Sequence, residues 1–271
     1  MNVILPCAGE GQRLGLPYPK EIHSIVDGIA LIDLSFQKIL KYKKDVDRVT
    51  IILKSSKTQI IKYLDKYKAE VPIVFCYFNE NYFDWAGSIL SAEHLFTKKN
   101  MVLLPDSFLV ENDKFELIPS MKEFLSKSHL TFGYLKEESA RIRNLGALKL
   151  STEEDEIIDF CDKPVNNYQN FNAFWGTFGF TYKYASQILL MMSESIKKKP
   201  VDINSLGMGK ITGFPINEYY DLGTWDSIHN FDKSKLNQSR SNLRDQKELI
   251  TKQKRVPVDK VRENYSFAAN G

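Results

Sequence analysis

Up to residue 135, short apolar runs alternate with stretches whose apolar residues recur every three or four positions. Val3–Pro6, Val49–Leu53, Val71–Phe78, Met101–Pro105 and Leu130–Leu135 have the length and apolar character of buried strands. Between them, Leu31–Tyr42 gathers Ile32, Phe36, Ile39 and Leu40 on one helical face, and Gln59–Tyr67 gathers Ile60, Ile61, Leu64 and Tyr67. Ser88–Phe96 and Phe115–Ser126 read as further helices. Strands apolar on both faces, separated by amphipathic helices, predict a mostly parallel sheet covered on both sides. After residue 140 the rhythm changes. Leu145–Leu150, Glu156–Cys161 and Phe174–Thr181 read as strands joined by turns rich in Asp, Asn and Pro, which predicts an antiparallel extension able to cover a ligand. A helix over Tyr182–Met192, a strand over Asn217–Asp221 and a short helix over Trp225–Phe231 complete the pattern.

At 271 residues and 31.3 kDa, with 43% apolar and 26% charged residues, the chain can bury one substantial core with a small added lobe. The fold class expected is α/β: a Rossmann-like, mostly parallel sheet flanked by helices, a small antiparallel extension, and a C-terminal helical tail. Residues 1–231 read as one catalytic domain and 232–271 as a basic extension. Lys233–Lys254 has only a sparse apolar stripe (Leu236, Leu243, Leu249, Ile250), so as a helix it would need to dock on the body or on a second copy. A homo-oligomer formed through this extension is therefore an expectation. Its many lysines and arginines are a solvated surface or a partly ordered tail before they are a nucleic-acid site, since the net charge of the whole chain is only +3. No apolar run approaches the roughly 18 residues of a membrane span, and the N-terminus lacks a charged segment with a cleavage site, so a cytoplasmic protein without membrane or nucleic-acid partners is expected. Cys7, Cys76 and Cys161 are too few and too scattered for a disulfide framework or zinc cluster.

The densest chemistry lies at the start. Val3–Pro6 runs into Cys7-Ala8-Gly9-Glu10-Gly11-Gln12-Arg13-Leu14, with Pro19-Lys20 shortly after. Glycines there let the backbone N–H groups of Ala8 to Gly11 approach phosphate oxygens, Arg13 offers a fork of donors, and Lys20 a compact charge. A tight turn with solvated charges is the plainer alternative. There is no G-x-x-x-x-G-K-[ST], and Leu14 stands where a dinucleotide loop needs its third glycine. Asp106 follows the apolar run Met101–Pro105, and Asp221 follows Tyr219-Tyr220 ahead of Leu222-Gly223-Thr224. At the carboxyl ends of strands in an open α/β sheet, two such carboxylates could hold a magnesium ion with phosphate and water; each could also simply cap the next turn.

The strand followed by Ala8-Gly9-Glu10-Gly11-Gln12-Arg13-Leu14 and Pro19-Lys20 resembles the signature of nucleotidyltransferases that join a nucleotide to a sugar phosphate or a similar small phosphate. The shorter gap between Arg13 and Lys20 is more like that of cytidylyltransferases. The resemblance runs over about residues 1–231. It implies that Asp106 and Asp221 bind the metal, with Pro105 standing where the family usually has glycine. It implies that Lys163, in Asp162-Lys163-Pro164, grips the acceptor phosphate while Asp162, a shorter acid than the family's glutamate, contacts sugar hydroxyls. Asn172 resembles an asparagine near the sugar. Gly87 and Ser88 match a stretch that opens a helix over the nucleobase, with Ser88 as its cap; an ordinary capped helix is the alternative.

The reaction so implied is attack by the acceptor's phosphate oxygen on the α-phosphorus of a nucleoside triphosphate, with pyrophosphate leaving in line. Arg13, Lys20 and Lys163 would be its catalytic cations, Ala8, Gly9, Glu10, Gly11, Gly87 and Ser88 its nucleotide contacts, and Mg²⁺ its cofactor. The partners are a nucleoside triphosphate and a phosphorylated small molecule, most readily a sugar 1-phosphate. A cytidylyltransferase acting on a non-sugar phosphate or phosphonate, a glycosyltransferase and a non-catalytic nucleotide-binding relative are the alternatives. The glycosyltransferase lacks its usual second acid, because Asp106-Ser107-Phe108 is not D-x-D. His23, His94, His129 and His229 show no spacing with a nucleophile or metal cluster and are given no role.

Overall fold

A computed structural model describes residues 1–236 except 27, 139, 152–155 and 198–202. Met1–Phe231 forms one compact unit. The tail reading falls from residue 237 onward outside the described residues.

The first half follows the predicted alternation: β1 (Asn2–Pro6), a small hairpin β2 (Ser24–Val26) and β3 (Ile29–Ala30), α1 (Leu31–Lys41), β4 (Arg48–Leu53), α2 (Gln59–Tyr63), β5 (Ile73–Tyr77), α3 (Trp85–Leu90) and β6 (Lys99–Val102). Next come β7 (Ser107–Val110), α4 (Leu117–Phe124), β8 (Leu130–Lys136), β9 (Gly146–Leu150), β10 (Ile157–Asp162) and β11 (Ala173–Thr181). The described body closes with α5 (Ala185–Ile196), β12 (Thr212–Pro215), β13 (Glu218–Asp221) and α6 (Trp225–His229). The helix expected over Ser88–Phe96 instead starts at Trp85 and ends at Leu90, with a single 3-10 turn at Glu93–Leu95.

The described residues build a nine-stranded sheet whose main path runs β10-β9-β11-β6-β1-β4-β5. Its β6-β1-β4-β5 stretch is parallel. The nine-residue β11 then joins the two halves of the molecule, pairing antiparallel with β6 through Phe178–Thr181 and with β9 through Ala173 and Phe174. Its other edge pairs with β8, and β12 adds parallel to β8. Along β11 the partner of Trp175 is Tyr134 and that of Thr177 is Gly133, so Gly176 is an extra residue and the strand carries a bulge there. β13 pairs with β7 in a separate antiparallel ribbon.

Side chains on the strands alternate between two apolar cores: Ile4 joins one, Val3 and Leu5 the other. The first is covered by α3 and α5 through Ala86, Ile89, Ile188 and Met192, the second by α1, α2 and α4 through Phe36, Ile39, Ile60 and Met121. Several of these helices are only five to eight residues long. That is too short to persist in water, so it is burial, about 1.5–3 kcal/mol per large apolar side chain, that holds them.

One polar cluster interrupts this interior. Asn2, Thr50 and Asn100 are fully buried on adjacent β1, β4 and β6. The Thr50 hydroxyl donates to Asn2 Oδ1 (2.8 Å), Asn2 Nδ2 donates to Asn100 Oδ1 (3.2 Å), and Asn100 Oδ1 also accepts the Thr97 N–H (2.9 Å).

Candidate functional site

The glycine-rich turn leaves β1 at the carboxyl end of the parallel strands. The Cys7 N–H still donates to Ile52 O (2.7 Å), and the chain then turns through Gly11, whose φ of +69° suits glycine. The Leu14 N–H donates to Gly11 O (3.0 Å), the Trp225 indole of α6 donates to Leu14 O (3.0 Å), and α6 itself is capped by Thr224 Oγ1, which accepts the Ser227 N–H (3.2 Å). Both ends of the turn meet one ammonium. Lys57 Nζ donates to Cys7 O (2.9 Å) and to both oxygens of Glu21 (2.9 and 3.0 Å). Glu21 is fully buried; burial pushes its carboxyl up from the ordinary value, against the pull of Lys57.

A cleft of about 1040 Å³ opens beside this turn, and Arg13, Lys20, Asp106, Lys163 and Asp221 all line it. Lys20 Nζ is hydrogen-bonded to Asp106 Oδ2. Burial pulls the Lys20 ammonium down, but the charge and hydrogen bond of Asp106 prevail and hold it above its usual range, so it is charged at working pH. Arg13 Nη1 lies 3.7 Å from Asp221 Oδ2, with side chains 60% and 45% exposed. Such an open pair contributes little stability, which leaves both groups available to a ligand. Asp221 Oδ1 accepts the Gly223 N–H (2.9 Å). In the β7–β13 ladder Asp221 stands opposite Ser107, and the Leu222 N–H donates to Asp106 O (2.8 Å), so the two aspartates sit level on neighbouring chain segments. Lys163 has φ +51°, the one positive value at a non-glycine position among the described residues, with its N–H on Leu145 O (2.9 Å). A left-handed lysine costs about 1–2 kcal/mol, a strain of the kind that gathers at ligand sites.

Residues 2–238 match the model of the family described as nucleotidyl transferase. The chain belongs to that family. It is thus an enzyme that transfers nucleotidyl groups, and no curated protein matches its sequence. A solved structure assigned to a glucose-1-phosphate thymidylyltransferase of Bacillus anthracis superposes with a TM-score of 0.68 at 18% identity, over 84% of this chain and 92% of the other. A UDP-glucose pyrophosphorylase complexed with UDP-glucose gives 0.65 at 19% identity, over 90% and 98%. A UTP-bound enzyme of the same name from Acinetobacter baumannii gives 0.64 at 14%, over 84% and 90%. At these identities the likeness is one of fold.

Within the nucleotidyltransferase, most of the residues singled out in the sequence meet at the cleft. Ala8, Gly9 and Glu10 line it, as do Asp162 and Ser88. Glu10 is ion-paired with Lys54, whose hydrogen bond and charge draw its carboxyl below the ordinary value. Gly11 is not among the lining residues and stands against the Lys20 stem. One expectation, Ser88 as the helix cap, needs correction, and Gly11, Gly87 and Asn172 do not line the cleft. Asp84, not Ser88, caps α3, accepting the Gly87 N–H on Oδ1 (2.7 Å); that N–H is therefore engaged, and Gly87 does not line the cleft. Ser88 falls inside the helix, only 6% exposed, with a hydroxyl that has no hydrogen-bond partner among the described residues. Asn172 is spent on the C-terminal end of β9: its Oδ1 accepts the Leu150 N–H (2.8 Å) and its Nδ2 donates to Leu150 O (3.4 Å), and it does not line the cleft. Missing from the sequence reading was the Glu21–Lys57 pair. Its one sequence signal is an acid directly after Lys20, and nothing along the chain announces Lys57.

Among the described residues, no three His, Cys, Asp or Glu side chains are arranged to hold a metal ion. Asp106 and Asp221 offer two level carboxylates and only oxygen donors. That fits a hard cation completed by phosphate oxygens and water, and not one needing a full protein cage.

Proposed function

We propose that the enzyme transfers a nucleoside monophosphate from a nucleoside triphosphate to a phosphorylated small molecule, most simply a sugar 1-phosphate, releasing pyrophosphate. The observation that carries this reading is the convergence of Arg13, Lys20 and Lys163 with Asp106 and Asp221 on one cleft beside a glycine-rich turn, although they come from four separate stretches of chain. No side-chain nucleophile is needed, because direct attack by the acceptor phosphate can be driven by positioning and charge neutralisation. In this reading the backbone of Ala8 to Glu10 cradles the triphosphate, Gly11 shapes the turn behind it, and Arg13 meets the departing pyrophosphate. Lys20 and Lys163 hold the attacking phosphate against the repulsion of the triphosphate, with Asp162 beside the acceptor. Ser88 faces the nucleoside. Asp106 and Asp221 would hold magnesium, which when bound offsets charge on the phosphate oxygens.

The test is pyrophosphate release from a panel of nucleoside triphosphates and phosphorylated acceptors. Asp106→Ala and Arg13→Ala are each expected to lower turnover by at least about a hundredfold, the scale seen when a charge-stabilising donor is removed, with the melting transition kept. Near-normal turnover in either variant overturns the assignment. The base is chosen by whichever triphosphate raises the melting temperature most, since a ligand bound only by the folded state stabilises it by mass action.

A further inference from the structure

Two features of the backbone oppose the conformation of Lys163. Its φ is +51°, and it precedes Pro164, a position where the chain favours extended backbone. Left to itself the turn would relax and carry the lysine with it. Two consecutive amides hold it from opposite sides. The Lys163 N–H points towards β9 and donates to Leu145 O (2.9 Å). By the alternation of an antiparallel pair, the Asp162 N–H points the other way, off the outer edge of β10, the last strand on the main path. There it donates to Ser195 Oγ on α5 (2.9 Å), with Ser195 2% and Asp162 6% exposed. A serine inside a helix ordinarily turns its hydroxyl back on the preceding turn or out to water. Ser195 instead offers its oxygen to a strand, and removing it takes that oxygen from a buried N–H. Two residues earlier, Ser193 Oγ donates to Asp84 Oδ2 (2.6 Å), whose other oxygen caps α3. The last turn of α5 therefore holds the Lys163 wall of the cleft through one serine and the α3 wall through the other.

Building on the transfer reading above, we propose that Ser195 is a positioning residue for that reaction: by holding the Asp162 N–H it keeps the left-handed turn that presents Lys163 to the attacking phosphate. Ser195 is buried and does not line the cleft, so it touches no substrate. Its influence reaches the chemistry only through Lys163, and it therefore falls on the acceptor and spares the nucleotide. Glycine would adopt this turn freely but would bring no charge; the hydroxyl on α5 offsets the strain, so a lysine can stand there.

The experiment measures pyrophosphate release by wild type, Ser195→Ala, Ser195→Thr and Ser193→Ala. CTP and UTP serve as donors, and glucose 1-phosphate, ribitol 5-phosphate and phosphocholine as acceptors. In Ser195→Ala the acceptor KM should rise about tenfold, while the nucleotide KM stays within about twofold. Ser195→Thr, which keeps the oxygen, should recover most of that rise. Ser193→Ala loses a hydrogen bond from the same turn of α5 and should leave the acceptor KM within about twofold of wild type. An equal rise in both alanine variants would be a loosening of α5 as a whole and overturns the proposal. Hydrogen exchange followed by NMR reads the turn without turnover. Ser195→Ala should speed exchange of the Lys163 amide about tenfold or more and leave that of Cys161, two residues earlier on β10, unchanged, whereas opening of the whole strand would move both. Wild type alone also decides the matter if Ser195→Ala misfolds: its Asp162 amide should be as protected as that of Cys161, and free exchange there overturns the proposal. Pyrophosphate release from none of the pairs removes the transfer reading, and this role with it; release whose acceptor KM ignores Ser195→Ala removes this role alone.

Discussion

Replacing Lys57 by methionine keeps most of the side-chain stem and removes its ammonium. Three hydrogen bonds go with it, to Cys7 O and to both oxygens of Glu21, and a fully buried carboxylate is left without its counter-charge. Breaking a buried ion pair from one side costs about 3–5 kcal/mol. For a unit of this size, about 2–4 °C of melting temperature accompanies each kcal/mol, so Lys57→Met should melt roughly 6–20 °C lower. The pH dependence has a definite sign. Burial already pushes the Glu21 carboxyl up, and removing Lys57 raises it further. The folded variant then takes up a proton more readily than the unfolded chain, so the deficit shrinks as pH falls from 7 towards 5. Adding Glu21→Gln to Lys57→Met should recover part of the loss, with a coupling of about 0.5–3 kcal/mol. Urea midpoints at several pH values, with m unchanged, measure all of this. Pyrophosphate release at a temperature where the variant is folded then reports whether the turn still holds its shape; a drop in kcat is expected. A Lys57→Met protein within about 1 kcal/mol of wild type, or a strictly additive double variant, would refute the argument that this pair ties the turn together.

Three further outcomes follow from the same geometry. At Lys163 the left-handed backbone should make Lys163→Gly more stable than Lys163→Ala by about 1 kcal/mol in urea unfolding, while both lose transfer activity; equal stability would contradict the backbone argument. Burial raises the Glu111 carboxyl, but Lys38 and Lys41 outweigh it and hold the group below its ordinary value of 4.5. Its contribution is present above pH 4.5 and fades as pH falls through the folded value, so the stability gap between wild type and Glu111→Gln should narrow between pH 6 and pH 3, and a constant gap would count against it. Stripping divalent ions with a chelator should abolish pyrophosphate release, and added magnesium should restore it; Asp221→Asn should raise the magnesium concentration needed for half-maximal rate.

Much of the scaffold was legible because burial on both faces writes long apolar runs, as in Val49–Leu53 and Leu130–Leu135. What was missed is local and short. β12 is four residues containing Gly and Pro, and β7 is four residues directly after Asp106; neither has enough length to show a period, and both exist through partners far away in sequence. The charged residues of the cleft drew notice because they follow strand ends or a glycine-rich turn; solvated charges and turn caps read the same way along the chain, and only their gathering on one cleft separates the readings. Asn172 and Ser88 misled for a common reason: a small polar side chain near a strand end or helix start serves the backbone or a ligand equally well, and only the pairing partner decides. For Asn172 that partner is Leu150 at the end of β9, whereas for Ser88 the cap was already supplied by Asp84.

The Asn2–Thr50–Asn100 cluster acts at a distance from the chemistry. Sliding β6 by two residues against β1 would keep each side chain on its own face, so the greasy layers alone discriminate poorly against it. That slide would carry Asp106 about 6.6 Å along the sheet relative to the turn bearing Lys20, far outside the reach of their contact. It would also leave the Asn2 amide donor without Asn100 in a dry interior, because that bond would break while Thr50 stays with Asn2 and Asn100 stays with Thr97. A polar ruler at the foot of the sheet thus sets the height at which charges meet at its rim.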